Sequence, residues 1–201
     1  AELFRLALLL VTSFGVAVLF ALLQLYGVFL LPFAKTATFN TVGTANSVAV
    51  ASAALLPLAL ILSYAAKKFL RVFLWGVAAV LLITLLFINF FDAWIALIAG
   101  LLVLSAFGMW NMKKGTALGW VSLPMALLVL ALFFLVFRVS LPGAPATPIE
   151  VSPSIQAETS ILQNVLKESP ILGTGPGTFV FDYTKYHTAD LNQTIFWGTR
   201  F

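Results

Sequence analysis

The segment Val72–Trp110 is almost unbroken apolar sequence for 39 residues. As one helix it would run about 58 Å at 1.5 Å per residue, too long for a hydrocarbon core of about 30 Å. It must therefore fold back on itself. The break belongs at Asn89-Phe90-Phe91-Asp92, because a carboxylate at mid-membrane costs about 2.5 to 3.5 kcal/mol. This predicts two spans, 72–89 and 93–110, joined by a turn at Asp92.

The same length test finds spans at 6–31, at 46–64 with Pro57 inside, and at 120–137 with Pro124 in its first turn. The expected fold is thus all-α, a polytopic transmembrane bundle of about five spans over 1–141, followed by a loop region over 142–201. Composition agrees, with 62% hydrophobic and 9% charged residues and a mean hydropathy of +1.07, where a soluble domain has about a quarter of its residues charged. The first apolar run is too long for a cleaved signal peptide. Asn46 is placed to cap the second span, and Asn40 to shape the loop before it. The absence of cysteine excludes disulfides and thiolate metal sites, and the single histidine, His187, excludes a histidine cluster. No metal or other cofactor is expected. Because the chain starts at Ala1 and ends in a polar stretch at Phe201, it is expected to be a piece of a longer protein.

Charge separates the two regions. Residues 1–141 carry eight Lys/Arg against Glu2 and Asp92, whereas 142–201 carry three against five acids. No basic, aromatic stripe points to nucleic acid. If the spans alternate, Arg5, Lys67, Lys68, Arg71, Lys113 and Lys114 share one side, opposite Lys35 and Arg138, and the side with six charges should be cytoplasmic. The loop at 32–45, the Asp92 turn and everything after Arg138 then share the outer face. Tyr64, Trp75, Trp110 and Trp120 fall near span ends, as interfacial aromatics do.

Beyond Arg138, SLPGAPATPIEVSP reads as an extended proline-rich segment. A helix follows over 154–168, with Ser154 as its cap and Ile155, Ile161, Leu162, Val165 and Leu166 along one apolar side, facing either the membrane surface or the bundle. The helix runs into ESPILGTGPGTF, where glycines at 173, 175 and 177 permit backbone angles and close approaches that a Cβ blocks. A dinucleotide fingerprint would need a strand before these glycines and a helix after them, but Pro170 precedes and a β-like run, Thr178–Phe181, follows. A phosphate-binding P-loop needs a lysine where Gly177-Thr178-Phe179 has none. A tight turn that packs a surface helix is the simplest reading.

Three stretches, FNTVGTANS opening the second span, NFFDAWIAL opening the fourth, and the helix running into SPILGTGPGTF, together resemble the O-antigen ligase and polysaccharide polymerase superfamily of bacterial membranes. The resemblance covers most of the chain and implies a central piece of a protein with more spans. It implies glycosyl transfer at the outer face of the bacterial cytoplasmic (inner) membrane. A glycan on an undecaprenyl diphosphate carrier would move to an acceptor hydroxyl, on the lipid A core for a ligase or on a growing glycan for a polymerase, without a metal or a nucleotide sugar. The chain departs from the family pattern at three points. Lys35 stands where an arginine is usual, Phe91-Asp92 stands where a Ser-Arg-Gly type turn is usual, and the His-x-His-Asn pattern does not occur in the 201 residues.

On this reading Lys35, Arg138 and Arg200 are the candidate cations for the diphosphate, and Gly173, Gly175 and Gly177 line the substrate loop. Lys35 and Arg138 are equally explained as interfacial side chains at helix ends. Arg200 follows Trp197-Gly198-Thr199, with no helix end to account for it. His187 and Asp182 are the candidate catalytic bases, with Glu158 and Asp190 as rivals. Asn192-Gln193-Thr194 matches a glycosylation acceptor pattern that a bacterial host makes incidental. Two other classes compete: a transporter or flippase, disfavoured because the span interiors hold only Gln24, Asn89 and hydroxyls, and a non-catalytic anchor that displays a binding loop.

Overall fold

The computed structural model describes residues 2–37, 39–112, 119–145, 147, 155–175 and 177–187. The described residues are all-helical, without a strand: α1 (Glu2–Leu25), α2 (Ala45–Ala65), α3 (Lys68–Ile88), α4 (Phe91–Met112), α5 (Gly119–Phe137), α6 (Ile155–Glu168) and α7 (Phe179–Tyr186). The chain divides into two compact units, Ala1–Pro148 and Ile149–Phe201, a later boundary than the 141/142 composition change. Among the described residues α1 to α4 are each long and apolar enough to cross a membrane, and α5 contributes a shorter apolar helix, Val121–Phe137.

The 39-residue run does fold back where the charge requires. Asn89 takes a left-handed conformation (φ 50°, ψ 43°) and its N–H bonds Leu85 O, ending α3. Asparagine tolerates this conformation because its short polar side chain finds local partners. Here the Asn89 Oδ1 accepts from Trp94 Nε1 at 2.8 Å, and Nδ2 donates to Val139 O at 3.1 Å. One side chain thus joins the ends of α3, α4 and α5. Asp92 lies in the first turn of α4, where a carboxylate complements the helix dipole.

Three other expectations change. The first helix stops at Leu25, not Leu31, although apolar sequence continues. Gly27 adopts φ +77°, and Gly27 N and Val28 N bond Gln24 O and Leu23 O, the paired bonds of a Schellman cap. Helix α2 is capped by Thr44, whose hydroxyl accepts from Ser47 N, so Asn46 falls inside its first turn. Asn40 Oδ1 meanwhile accepts from the N–H groups of Val42 and Gly43, tightening the loop. Pro124 sits inside α5 rather than in its first turn.

Within the first unit α2 packs on α1, α3 and α4, and α5 packs on α4. Leu56, Leu60, Leu74, Leu81, Leu97 and Leu101 are fully buried between them. Trp94 stacks on Phe134 with ring centres 5.1 Å apart, joining α4 to α5. Close approach depends on two glycines. A Cβ on Gly15 would lie 2.8 Å from Val77 Cγ1, and one on Gly100 would lie 2.8 Å from Pro57 Cγ. Small residues let helices meet in lipid, where packing rather than water exclusion drives association.

At one end of this unit three connections converge. Tyr26 donates to Gly143 O and packs edge-on against Phe87, while Asn89 holds Val139. At the α2–α3 connection Arg71 donates from Nε to Ser63 O and from Nη2 to Ala66 O, satisfying carbonyls that the end of α2 leaves open.

Candidate functional site

The second unit supplies a cavity and a buried carboxylate from one short stretch of chain. Its first helix, α6, buries Ala157, Ile161 and Val165, spaced four apart, and Ile161 and Val165 pack with Tyr183 of α7. The expected apolar side is thus rotated: Ile155 is 81% and Leu162 55% exposed. Ser154 lies outside the described residues.

After α6 the chain turns through Ser169 N to Val165 O and Gly173 N to Ser169 O. Gly173, Gly175 and Gly177 all take positive φ (60°, 103° and 79°), so the glycines are conformationally required at this turn. The run after them, Thr178–Phe181, was expected to be β-like and instead opens α7. This removes one of the two objections to a dinucleotide fingerprint, but α6, not a strand, precedes the glycines.

The first turn of α7 sets Thr178 beside Asp182, and the glycine turn before it brings Thr174 to the same carboxylate. The Asp182 Oδ2 accepts from Thr174 Oγ1 and from Thr178 Oγ1 (3.2 Å), and the Thr178 hydroxyl also reaches Gly175 O at 2.7 Å. Asp182 is 9% exposed and lies in the first turn of α7. The hydroxyl donors and the N-terminal end of α7 thus surround its oxygens. The two threonines were not singled out in the sequence, although the four-residue spacing of Thr178 to Asp182 is a helical signal.

Asp182 and the three glycines border one cavity of about 410 Å³, with Glu158 on its α6 side and Leu162, Leu172 and Phe179 as apolar walls. Among the described residues no Lys or Arg lines it. Such a lining suits an uncharged, hydroxylated ligand, whose hydroxyls the carboxylates accept and whose apolar faces the aliphatic and aromatic walls cover.

His187 is not part of that lining. It ends α7, stacks on Tyr183 with ring centres 5.4 Å apart, and turns Nδ1 to Tyr183 O at 2.9 Å and Thr184 O at 3.2 Å. Carbonyls only accept, so Nδ1 carries the proton and Nε2 is the basic nitrogen of the neutral ring. Outside the cavity, Lys185 pairs with Glu168 at 2.6 Å, fastening α7 to the end of α6. The Lys185 hydrogen bond, followed by that of Tyr186, holds the Glu168 carboxyl below its usual value, and the Glu168 hydrogen bond raises Lys185 above its own.

The remaining candidates lie elsewhere. Lys35 is exposed in the α1–α2 connection. Arg138 follows α5 with φ 48° and sets its guanidinium 5.0 Å from the Phe91 ring centre, a cation–π contact at a helix end. Arg200, Asp190 and the Asn192-Gln193-Thr194 pattern lie outside the described residues. Among the described residues no three His, Asp or Glu come together to hold a metal ion. Comparison with protein families, curated proteins and solved structures finds no match to this chain.

Proposed function

We propose that the chain belongs to a bacterial membrane glycosyltransferase of the O-antigen ligase type, in which Asp182 is the base that takes the acceptor proton. The observation that carries this reading is the buried Asp182 carboxylate, held by two threonine hydroxyls at the wall of a glycine-bordered cavity. In the transfer, the acceptor oxygen bonds the anomeric carbon as its proton passes to Asp182. The bond from that carbon to the carrier diphosphate breaks, and its electron pair leaves with the diphosphate. The diphosphate is already a good leaving group and needs fixed cations rather than a proton donor. Lys35, Arg138 and Arg200 are the diphosphate candidates. The acceptor is the lipid A core in a ligase and a growing glycan in a polymerase.

The test is complementation by the intact protein in cells that lack a surface-glycan ligase or polymerase. Restored glycan that drops by about 10²-fold or more in Asp182→Asn, at unchanged membrane level, is expected for loss of a general base. A fully active Asp182→Asn alongside an inactive His187→Ala would move the base to His187. If the parent restores nothing with any acceptor, although it is inserted, the chain is a membrane anchor displaying a binding cavity.

A further inference from the structure

The connection between α1 and α2 does not stand away from the bundle. Gln24, fully buried near the end of α1, donates to Ala34 O at 2.9 Å and Thr36 O at 3.4 Å. Next along the loop, Phe39 meets Phe20 edge-on at 6.2 Å. Then Thr41 and Val42 share a cavity of about 280 Å³ with Ser13, Phe14 and Ala17. Successive loop residues therefore meet successively earlier positions on α1, so the loop runs back along the helix. From the Leu25 end, Ala17 lies about 12 Å and Ser13 about 18 Å down a helix about 36 Å long.

Such a course has a physical consequence if α1 crosses a bilayer. Irregular backbone is not tolerated against lipid, because its N–H and C=O groups would lack partners. It occurs at depth only where protein covers it or water reaches it. Here Thr41, Gly43 and Thr44 are exposed and not covered by the described residues. The amide oxygen of Gln24 is buried and accepts no hydrogen bond from the described residues, a demand that water entering beside the loop would meet.

We propose that residues 34–37 and 39–44 belong to a re-entrant loop, and that the cavity between Thr41, Val42 and the Ser13–Ala17 face of α1 is a water-filled vestibule reaching about halfway down that helix. The proposal rests on α1 spanning a membrane, but on no part of the glycosyl-transfer reading. It separates two sides of α1. Ala17 faces the vestibule, whereas Val16, one residue away and 67% exposed, borders a groove of Thr12, Gly15, Leu19, Phe73 and Val77 shared with α3.

The chain has no cysteine, so single cysteines can be read one at a time in the intact protein. Ser13→Cys, Ala17→Cys, Thr41→Cys, Val16→Cys and Lys35→Cys are each exposed to a charged, membrane-impermeant thiol reagent in membranes open on both sides. Ser13→Cys is close to isosteric and guards against a folding artefact at Ala17. Ser13→Cys, Ala17→Cys and Thr41→Cys are expected to react at least tenfold faster than Val16→Cys, and Lys35→Cys fastest. If Lys35→Cys reacts while Ser13→Cys and Ala17→Cys are as slow as Val16→Cys, the vestibule does not exist. If Val16→Cys and Ala17→Cys are equally fast, α1 is not in a bilayer and the premise fails instead.

Discussion

The bundle and the helix pair that follows it are both helical, but they cohere for different reasons. The bundle buries residues from all five of its helices, with whole rows of leucine at its centre. Apolar side chains point outward from it just as freely, among them Val103 at 72% and Phe69 at 89% exposure. In lipid an outward leucine costs nothing, so the bundle depends on fit, on glycines that admit a neighbour and on polar side chains that finish helix ends. The helix pair has a core of Ile161, Val165 and Tyr183 with Tyr186 against it. Among the described residues those few side chains, the Glu168–Lys185 ion pair and the threonine–aspartate cluster join its two helices.

The largest expected effect therefore belongs to the smaller unit. Ile161→Ala removes a side chain that is 3% exposed, and losing both transfer and packing energy costs about 2–5 kcal/mol. Limited proteolysis should then cut within 155–187 while the bundle remains protected. Unchanged protection would mean that something other than its own core holds the helix pair.

Next comes Gly100→Ala in the bundle, where the new methyl meets the Pro57 ring at 2.8 Å. The ring cannot swing aside as a flexible chain would, so α2 and α4 must separate, at about 1–3 kcal/mol. Thermal unfolding in detergent should shift downward. An unshifted transition would show that fit at this crossing is not what holds the bundle together.

The smallest effect is the pH response of the Glu168–Lys185 pair. Glu168 is lowered in the folded state, so its contribution is present above the ordinary carboxylate value and is lost as pH falls through the lowered one. Lys185 is raised, so its contribution is present below the ordinary lysine value and fades only as pH rises through the raised one. The NMR signals of Tyr186 should move as pH falls below about 4, and Glu168→Gln should abolish that movement. A response identical in Glu168→Gln would assign it to another group.

Much of this was legible before any coordinates. The turn at 89–92 follows from the length of the apolar run and the cost of burying Asp92, and the helix before the glycines follows from its apolar spacing. What escaped is equally specific. Apolar sequence past Leu25 hides a helix end that Gly27 makes. Four residues such as Thr178–Phe181 cannot distinguish strand from helix, and reading them as strand separated Thr178 from Asp182, which the first turn of α7 brings together.

Sequence alone determined that this chain is helical and rich in segments long and apolar enough to cross a membrane, because hydrophobicity and helix length are local, additive quantities. Only the tertiary structure decided which carboxylate faces a cavity, which glycines admit a neighbouring helix, and that the first loop runs back along α1. Those outcomes depend on the rotation and crossing of whole elements, and a rotation of one residue about a helix carries a side chain through about 100°.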